Sequence, residues 1–251
     1  VIDGKSVYAS GTSLQPTNLT EWTTNFVTPL VQRYVVSSQY GECFDWEVWN
    51  EPNNAQFWTT PNAANYTALL KAGYNAIFAA QSNAAISSAG LTVGVAIDPV
   101  TFLSGMYTAG AKGYMDGVGW HPYCYNQLPD TDVSQGWYEM NTALTSARSV
   151  MTDNGEAEKQ IYITEFGGPT SGTGNGSNNY TTAQQATAYT QAIADAKAAT
   201  WIGDFYAFEY EDEGTSGSYQ NFFGLVAHSS TSPGVGGTHK SAYAAVKTAI
   251  A

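Results

Sequence analysis

Charge is what this 251-residue sequence most lacks: Asp, Glu, Lys and Arg together make up 12% of it, about half of the ~25% found in an average soluble domain. Within that small set the basic residues are scarcer still, nine Lys and Arg against 21 Asp and Glu, for a net charge of −12. A field of that sign repels a polyanion, so nucleic acid is excluded as a natural partner, whereas a neutral polymer is unaffected. Only three His are present, scattered without ligand spacing, so no catalytic metal is expected. No apolar run approaches the ~20 residues that a membrane-spanning helix needs. Nor does a charged segment followed by an apolar one open the chain, so any leader is read as already removed; it is the low charge that suits a secreted protein. Two cysteines, Cys43 and Cys124, are too few for a disulfide scaffold.

What fills the space is aromatic and small polar: 17 Tyr, ten Phe, seven Trp and 25 Gly, over a surface that must be coated with Ser, Thr, Asn and Gln. The sequons at Asn18, Asn65, Asn175 and Asn179 are no more than such a composition produces by chance. The length fits one domain over residues 1–251.

Helical and strand patterns alternate along the chain. Trp22, Phe26, Val27, Leu30, Val31 and Tyr34 mark one helical face within Thr20–Val35. A short strand Phe44–Asn50 stops at Glu51-Pro52. Asn62 caps a helix carrying Tyr66, Leu69, Leu70, Ile77 and Phe78. Strands follow at Leu91–Ile97, Gly117–Tyr123, Ile161–Phe166 and Phe205–Tyr210. Between and after them lie helices at Thr101–Ala109, Ser134–Thr152, Thr181–Ala199 and Ser241–Ile250. Strands buried on both faces and alternating with helices indicate a parallel α/β architecture. Polar residues gather at the C-terminal ends of three separate strands, Asn50-Glu51, His121–Tyr123 and Glu165, as on the catalytic rim of a (β/α)8 barrel. A doubly wound sheet would bind ligand at a single switch point instead. Five strands are clear and Val1–Ser10 is a sixth candidate where a barrel needs eight; the deficit is at the N-terminal side.

Glu51 and Glu165 each close a strand, and two carboxyl groups on one rim are what glycosidic bond cleavage with retention requires. A solvated strand-end acid is the bland reading of either alone. The segment WEVWNEP (Trp46–Pro52) resembles the fourth-strand signature of clan A glycoside hydrolases, IYITEFG (Ile161–Gly167) the seventh and WHPY (Trp120–Tyr123) the sixth. Their order, with NNAQFW (Asn53–Trp58) and YMDGVGWHPY (Tyr114–Tyr123), makes the chain most similar to glycoside hydrolase family 39 and family 5-like enzymes. The resemblance implies Glu51 as acid/base, Glu165 as nucleophile, Asn50 on the sugar 2-hydroxyl, and His121 and Tyr123 orienting sugar and nucleophile. It implies no cofactor. It begins partway into the family pattern, so the first two strands and the Arg they usually place beneath the nucleophile have no counterpart; Arg33 and Arg148 both fall in helical patterns. A fragment completing the barrel, or self-association over the gap, is therefore expected.

Among the aromatics, Trp58 and Tyr125 are the expected platforms for the apolar face of a sugar ring, and Trp46, Trp49 and Trp120 are read as core. Glu209 closes the last strand where clan A enzymes usually offer a Trp, and could take a sugar hydroxyl. Glu47, four residues below Glu51 on the same strand, is read as a structural hydrogen-bonding group. Cys43 and Cys124 fall at opposite ends of the barrel, ~20 Å apart by strand length, beyond the ~7 Å that a disulfide allows, so two thiols are expected. The expected activity is a retaining O-glycosidase on a β-linked oligo- or polysaccharide. A carbohydrate-binding protein on a decayed barrel is the alternative from another class, and transglycosylation the alternative among enzymes.

Overall fold

In the computed structural model, residues 15–35, 39–129, 131, 136–141, 143–176, 178–230 and 237–251 are described. The candidate strand Val1–Ser10 and the first two residues of the helix expected from Ser134 lie outside them. Five strands follow one another in the sheet in chain order: β1 (Asp45–Val48), β2 (Ala85–Ser88), β4 (Gly117–His121), β5 (Gln160–Phe166) and β6 (Ile202–Ala207). The two-residue β3 (Leu91–Thr92) pairs with β4 beside this path. β1 pairs with β2, and β2 with β4, in parallel. This is an incomplete (β/α)8 barrel. The chain divides into two compact units, residues 1–120 with 145–162 and residues 121–144 with 163–251.

In the first unit α1 (Leu19–Trp22), capped by the Asn18 side chain on the Glu21 N–H, runs through a π-helical turn Thr23–Val27 into α2 (Thr28–Arg33). This run buries Trp22, Val27 and Val31. The long helix α3 (Ala63–Ala80) starts at Asn62, whose carboxamide accepts from the Asn65 N–H. It lies close to β1 because Gly73 faces that strand: a Cβ there would sit 3.0 Å from Val48 Cγ1 and 3.2 Å from the Trp22 ring. The buried Tyr66 hydroxyl donates to Val48 O at 2.9 Å and accepts from the Ala89 N–H at 2.6 Å, tying helix to strand. Burial pushes that phenol well above its ordinary range, so it serves as a fixed neutral link. Glu47 has the role expected of it: it is buried, and Oε1 accepts from the Gly90 N–H at 2.5 Å. Helix α4 (Pro99–Thr108) opens with Asp98 accepting from the Thr101 N–H and Pro99 in its first turn.

The expected strand Leu91–Ile97 is mostly not one. Only Leu91–Thr92 pairs, residues 93–97 bend, and Gly94 takes φ +70°. The barrel strand is instead β2, whose sequence Ala-Ile-Ser-Ser carries a single large apolar side chain. Small residues are needed because β2 and β4 approach closely. A Cβ on Gly119 would fall 2.5 Å from Ser88 O, and the Gly119 N–H uses the space to donate to Ser88 Oγ at 3.1 Å.

The helix expected over Ser134–Thr152 is two helices, α5 (Gly136–Asn141) and α6 (Ala147–Asp153). Ser146 restarts the chain with a reciprocal cap shared with Ser149. Both end-of-helix needs are met locally, so the interruption requires neither Gly nor Pro.

In the second unit α7 (Thr182–Ala198) begins at a capping box between Thr181 and Gln184. It sends Tyr189 and Gln185 inward, both essentially unexposed. The Tyr189 hydroxyl lies 3.0 and 3.1 Å from the carbonyls of Phe166 and Phe208, at the ends of β5 and β6. Gln185 Nε2 donates to the carbonyls of Gly168 and Phe223. Phe166 packs edge-on against Trp137 and Tyr189. Burying aromatic side chains of this size contributes about 2–3 kcal/mol each. A 3-10 turn Tyr219–Phe222 and α8 (Ser241–Ile250) complete this unit. Cys43 and Cys124 carry no disulfide, and no helix of the described residues is long and apolar enough to cross a membrane.

Candidate active site

The chain leaves β1 through two residues with left-handed backbone, Trp49 (φ +80°) and Glu51 (φ +40°), on either side of Asn50. Such a conformation costs an L-residue on the order of 1–2 kcal/mol, and the surroundings impose it. The Trp49 side chain is buried with its indole N–H on Phe57 O at 3.1 Å. The next residues coil, Asn54 N–H donating to Glu51 O at 2.9 Å and the Phe57 and Trp58 N–H groups to Asn54 O at 3.0 Å. Asn53, fully buried, clamps this coil to its neighbours. Its Nδ2 donates to Thr92 O at 2.7 Å and Ile97 O at 2.9 Å, and its Oδ1 accepts from the Thr92 N–H at 3.3 Å. Glu51 is thereby held on a rigid elbow, buried, with Oε2 accepting from Asn54 Nδ2 at 2.8 Å. Asn50 beside it is half-buried.

Trp58 does not offer the platform expected of it. Its side chain is 2% exposed and packs edge-on between Trp49 and Tyr66, ring centroids 6.0 Å away on each side. The helical coil that begins at Asn54 folds it back into the core. Trp46, Trp49 and Trp120 are buried, as read from the sequence.

In the second unit β5 delivers Glu165 one residue before Phe166, with its side chain about a quarter exposed. The Tyr123 hydroxyl donates to Glu165 Oε2 at 2.7 Å. His121, at the end of β4 with its ring almost wholly buried, brings Nδ1 to 3.5 Å from the same oxygen. Sequence reading placed these three residues together, and the fold brings them together. Glycines permit it: a Cβ on Gly167 would meet Phe208 O at 2.0 Å, and one on Gly136 would meet Pro122 Cα at 2.8 Å. Tyr123 is walled by aromatic edges from Phe208 and Phe223, neither of which the sequence had marked. Tyr125, half-buried with φ +49°, lies nearly parallel to Tyr123 (centroids 6.1 Å, 24°).

Glu209 follows β6, half-buried, with Oε1 enclosed and lacking a hydrogen-bond partner. Desolvation, with the neighbouring Glu213 and Asp212 carboxylates adding to it, pushes its carboxyl up to about 7 against the opposing pull of Lys240. Near it Lys240 Nζ meets Asp212 Oδ1 at 2.6 Å, both side chains buried. Burial nevertheless leaves the Asp212 carboxyl above, and the Lys240 ammonium below, their ordinary values: desolvation of the pair outweighs its mutual attraction.

Solved structures similar to this fold include glycoside hydrolases. A family 39 glycoside hydrolase from the gut symbiont Bacteroides cellulosilyticus WH2 superposes with a TM-score of 0.63 at 18% identity, over 93% of this chain and 45% of its own. A monomeric β-xylosidase from Caulobacter crescentus CB15 gives 0.59 at 20%, over 96% and 48%. A glucosidase from Croceicoccus marinus gives 0.66 at 14%, over 95% and 47%. At these identities the likeness is one of fold, that of a (β/α)8 barrel. The chain spans about half the length of these solved structures. No protein-family model matches the chain, and no curated protein matches it by sequence.

Proposed function

We propose that this chain carries the catalytic residues of a retaining O-glycosidase acting on a neutral β-linked oligo- or polysaccharide, with Glu51 as acid/base and Glu165 as nucleophile. The observation that carries the reading is the set of contacts on Glu165. A carboxylate at the end of a barrel strand accepts a 2.7 Å bond from Tyr123 and faces the buried imidazole of His121. A merely solvated acid would have no use for two such groups.

The chemistry follows from two carboxyl groups in opposite protonation states. A Glu165 oxygen attacks the anomeric carbon as the glycosidic C–O bond breaks, and Glu51 passes its proton to the departing oxygen. The product is a glycosyl ester of Glu165 and a free alcohol. Glu51, now ionised, takes a proton from water as that water's oxygen attacks the anomeric carbon. The ester bond breaks, Glu165 leaves as carboxylate, and the sugar retains its configuration. Tyr123 fixes the nucleophile's trajectory, Asn50 binds the 2-hydroxyl, His121 bonds the sugar, Tyr125 supports its apolar face and Glu209 takes a further hydroxyl. The low charge density and the acidic balance suit a secreted enzyme on an uncharged glycan, and completion of the barrel by further polypeptide remains part of the proposal.

The test is hydrolysis of activated aryl β-glycosides across a panel of sugars. Wild type should turn over at least one, and Glu165→Ala should lose activity by a factor of ~10⁴ or more, recoverable in part with azide as an external nucleophile. Glycan binding without turnover by wild type would instead identify a carbohydrate-binding protein built on the same barrel.

A further inference from the structure

We infer that Asn54 is the positioning residue of Glu51: it holds Oε2 as an acceptor and thereby assigns the transferable proton to Oε1. The role in catalysis rests on the acid/base reading of Glu51; the hydrogen bond does not.

A carboxylic acid can carry its proton on either oxygen, and only one of them can face a leaving group. Asn54 Nδ2 lies 2.8 Å from Glu51 Oε2. An amide NH2 has only hydrogens to present, so an oxygen at that distance must accept. A proton on Oε2 directed at Asn54 would oppose another hydrogen, and the neutral acid is therefore the Oε1–H form. The orientation of the carboxamide is not arbitrary. Its Oδ1 accepts from the Gln56 backbone N–H at 3.0 Å, and exchanging the two ends would set N–H against N–H there and oxygen against oxygen at Glu51.

Nor can Asn54 swing away at low cost. Its own N–H is bonded to Glu51 O, and its carbonyl accepts from both Phe57 and Trp58. The neighbouring Asn53 side chain anchors the coil to Thr92 and Ile97. Residue 54 thus sits one turn after Glu51, with its backbone consumed by the elbow and its side chain turned back on the carboxyl. In the first step the donor leaves the neutral acid's carbonyl oxygen engaged and the proton on the other oxygen. In the second it steadies the ionised form that draws a proton from water.

The experiment follows the Glu51 carboxyl carbon by 13C NMR in protein labelled at glutamate, the resonance assigned by its loss in Glu51→Gln. A donor stabilises the ionised carboxylate more than the neutral acid. Asn54→Leu should therefore move the titration midpoint up by about half a pH unit, and Asn54→Asp by more than about one. The aspartate is nearly isosteric and keeps the acceptor for the Gln56 N–H, so it preserves the elbow while replacing the donor by a second acidic group. Midpoints within about 0.2 pH unit of wild type in both variants would overturn the inference, with or without activity. In kinetics, Asn54→Leu should lower kcat/KM on an alkyl β-glycoside by ~10-fold or more. A dinitrophenyl glycoside, whose leaving group needs no proton, should lose less than ~3-fold; equal losses would mark a structural role only. If Glu51→Gln leaves turnover of the alkyl glycoside intact, the acid/base reading falls separately, while the titration still decides the hydrogen bond.

Discussion

The Tyr123 hydroxyl and the Glu165 carboxylate are joined by a 2.7 Å hydrogen bond between the ends of β4 and β5. Its donor is itself immobilised: Tyr123 is 6% exposed and walled by Phe208 and Phe223. Such a bond favours the ionised, attacking form of Glu165 and aims one of its oxygens. Tyr123→Phe keeps the ring packing and deletes only the donor. We expect kcat/KM on aryl glycosides to fall by about 10- to 100-fold and thermal stability to change little. An unchanged kcat/KM would remove Tyr123 from the nucleophile's machinery.

Most of this arrangement was legible in the sequence because each group sits where a strand ends, and a strand end is a local property. Glu165 at the close of Ile-Tyr-Ile-Thr-Glu-Phe and His121 at the close of Gly-Val-Gly-Trp-His need no knowledge of distant contacts. Trp58 was misread for the complementary reason. Whether a loop tryptophan is exposed depends on how the loop folds back, and that is decided by Asn54 O gathering the Phe57 and Trp58 N–H groups. Asn54 itself left one trace, an amide side chain three residues after a catalytic-looking glutamate, the spacing at which one turn brings two side chains together.

Glu209 gives stability a definite pH dependence. Its carboxyl is held at about 7 in the folded chain, above the ~4.3 of an unperturbed Glu. Because the folded-state value is the higher one, the folded chain binds the proton more tightly than the unfolded chain. The associated stability is fully present below about pH 4 and is lost as pH rises towards 7. The group is half-exposed, so solvent screening reduces the effect to about 1 kcal/mol, well below what the full shift would give. Thermal melts of wild type should show this decline between pH 4.5 and 7.5. Glu209→Gln, always neutral, should flatten it; an identical slope in the variant would show that other groups carry the dependence.

The strand order was less legible than the site. A buried strand is recognised by a run of large β-branched or aromatic residues, and Leu-Thr-Val-Gly-Val-Ala-Ile at 91–97 supplies one, yet only its first two residues pair. The barrel uses Ala85–Ser88, where Ser88 Oγ takes a hydrogen bond from the Gly119 N–H and small side chains let β4 approach. The signal for such a strand lies in the partner that must fit against it, and that partner is about 30 residues away. The break between α5 and α6 was hidden differently: Ser146 and Ser149 cap each other, but a serine pair in a polar stretch also occurs inside helices and loops.

The buried pair Asp212–Lys240 should be more damaging to halve than to delete. Lys240 Nζ also donates to Thr170 Oγ1 at 2.9 Å, and Asp212 Oδ1 accepts from the Gly224 N–H at 2.8 Å, so each charge is embedded in further bonds. Lys240→Met strands a carboxylate beside Glu209 and should cost about 3–5 kcal/mol. Asp212→Asn with Lys240→Met removes both charges and should recover at least half of that loss. Chemical denaturation of the single and double variants measures it; additive losses would mean that the two charges do not stabilise each other.

Asn53 offers the sharpest separation of scaffold from chemistry. Its side chain is fully buried and makes three hydrogen bonds, to Thr92 O, Ile97 O and the Thr92 N–H. Replacement by Leu, of similar volume, takes the donor from Thr92 O and Ile97 O and the acceptor from the buried Thr92 N–H, and at about 1–3 kcal/mol for a buried group left unsatisfied the loss should reach about 2 kcal/mol or more. Asn53 makes no hydrogen bond to the Glu51 side chain, unlike Asn54, so its effect on that carboxyl must pass through the elbow. Cooling Asn53→Leu to a temperature where it is fully folded should therefore restore most of its activity on an alkyl β-glycoside. Asn54→Leu should stay impaired under the same conditions, since its donor is absent at any temperature. Activity of Asn53→Leu measured against its folded fraction, from circular dichroism on the same sample, distinguishes the two: a deficit that persists in fully folded protein would place Asn53 in the chemistry as well as in the clamp.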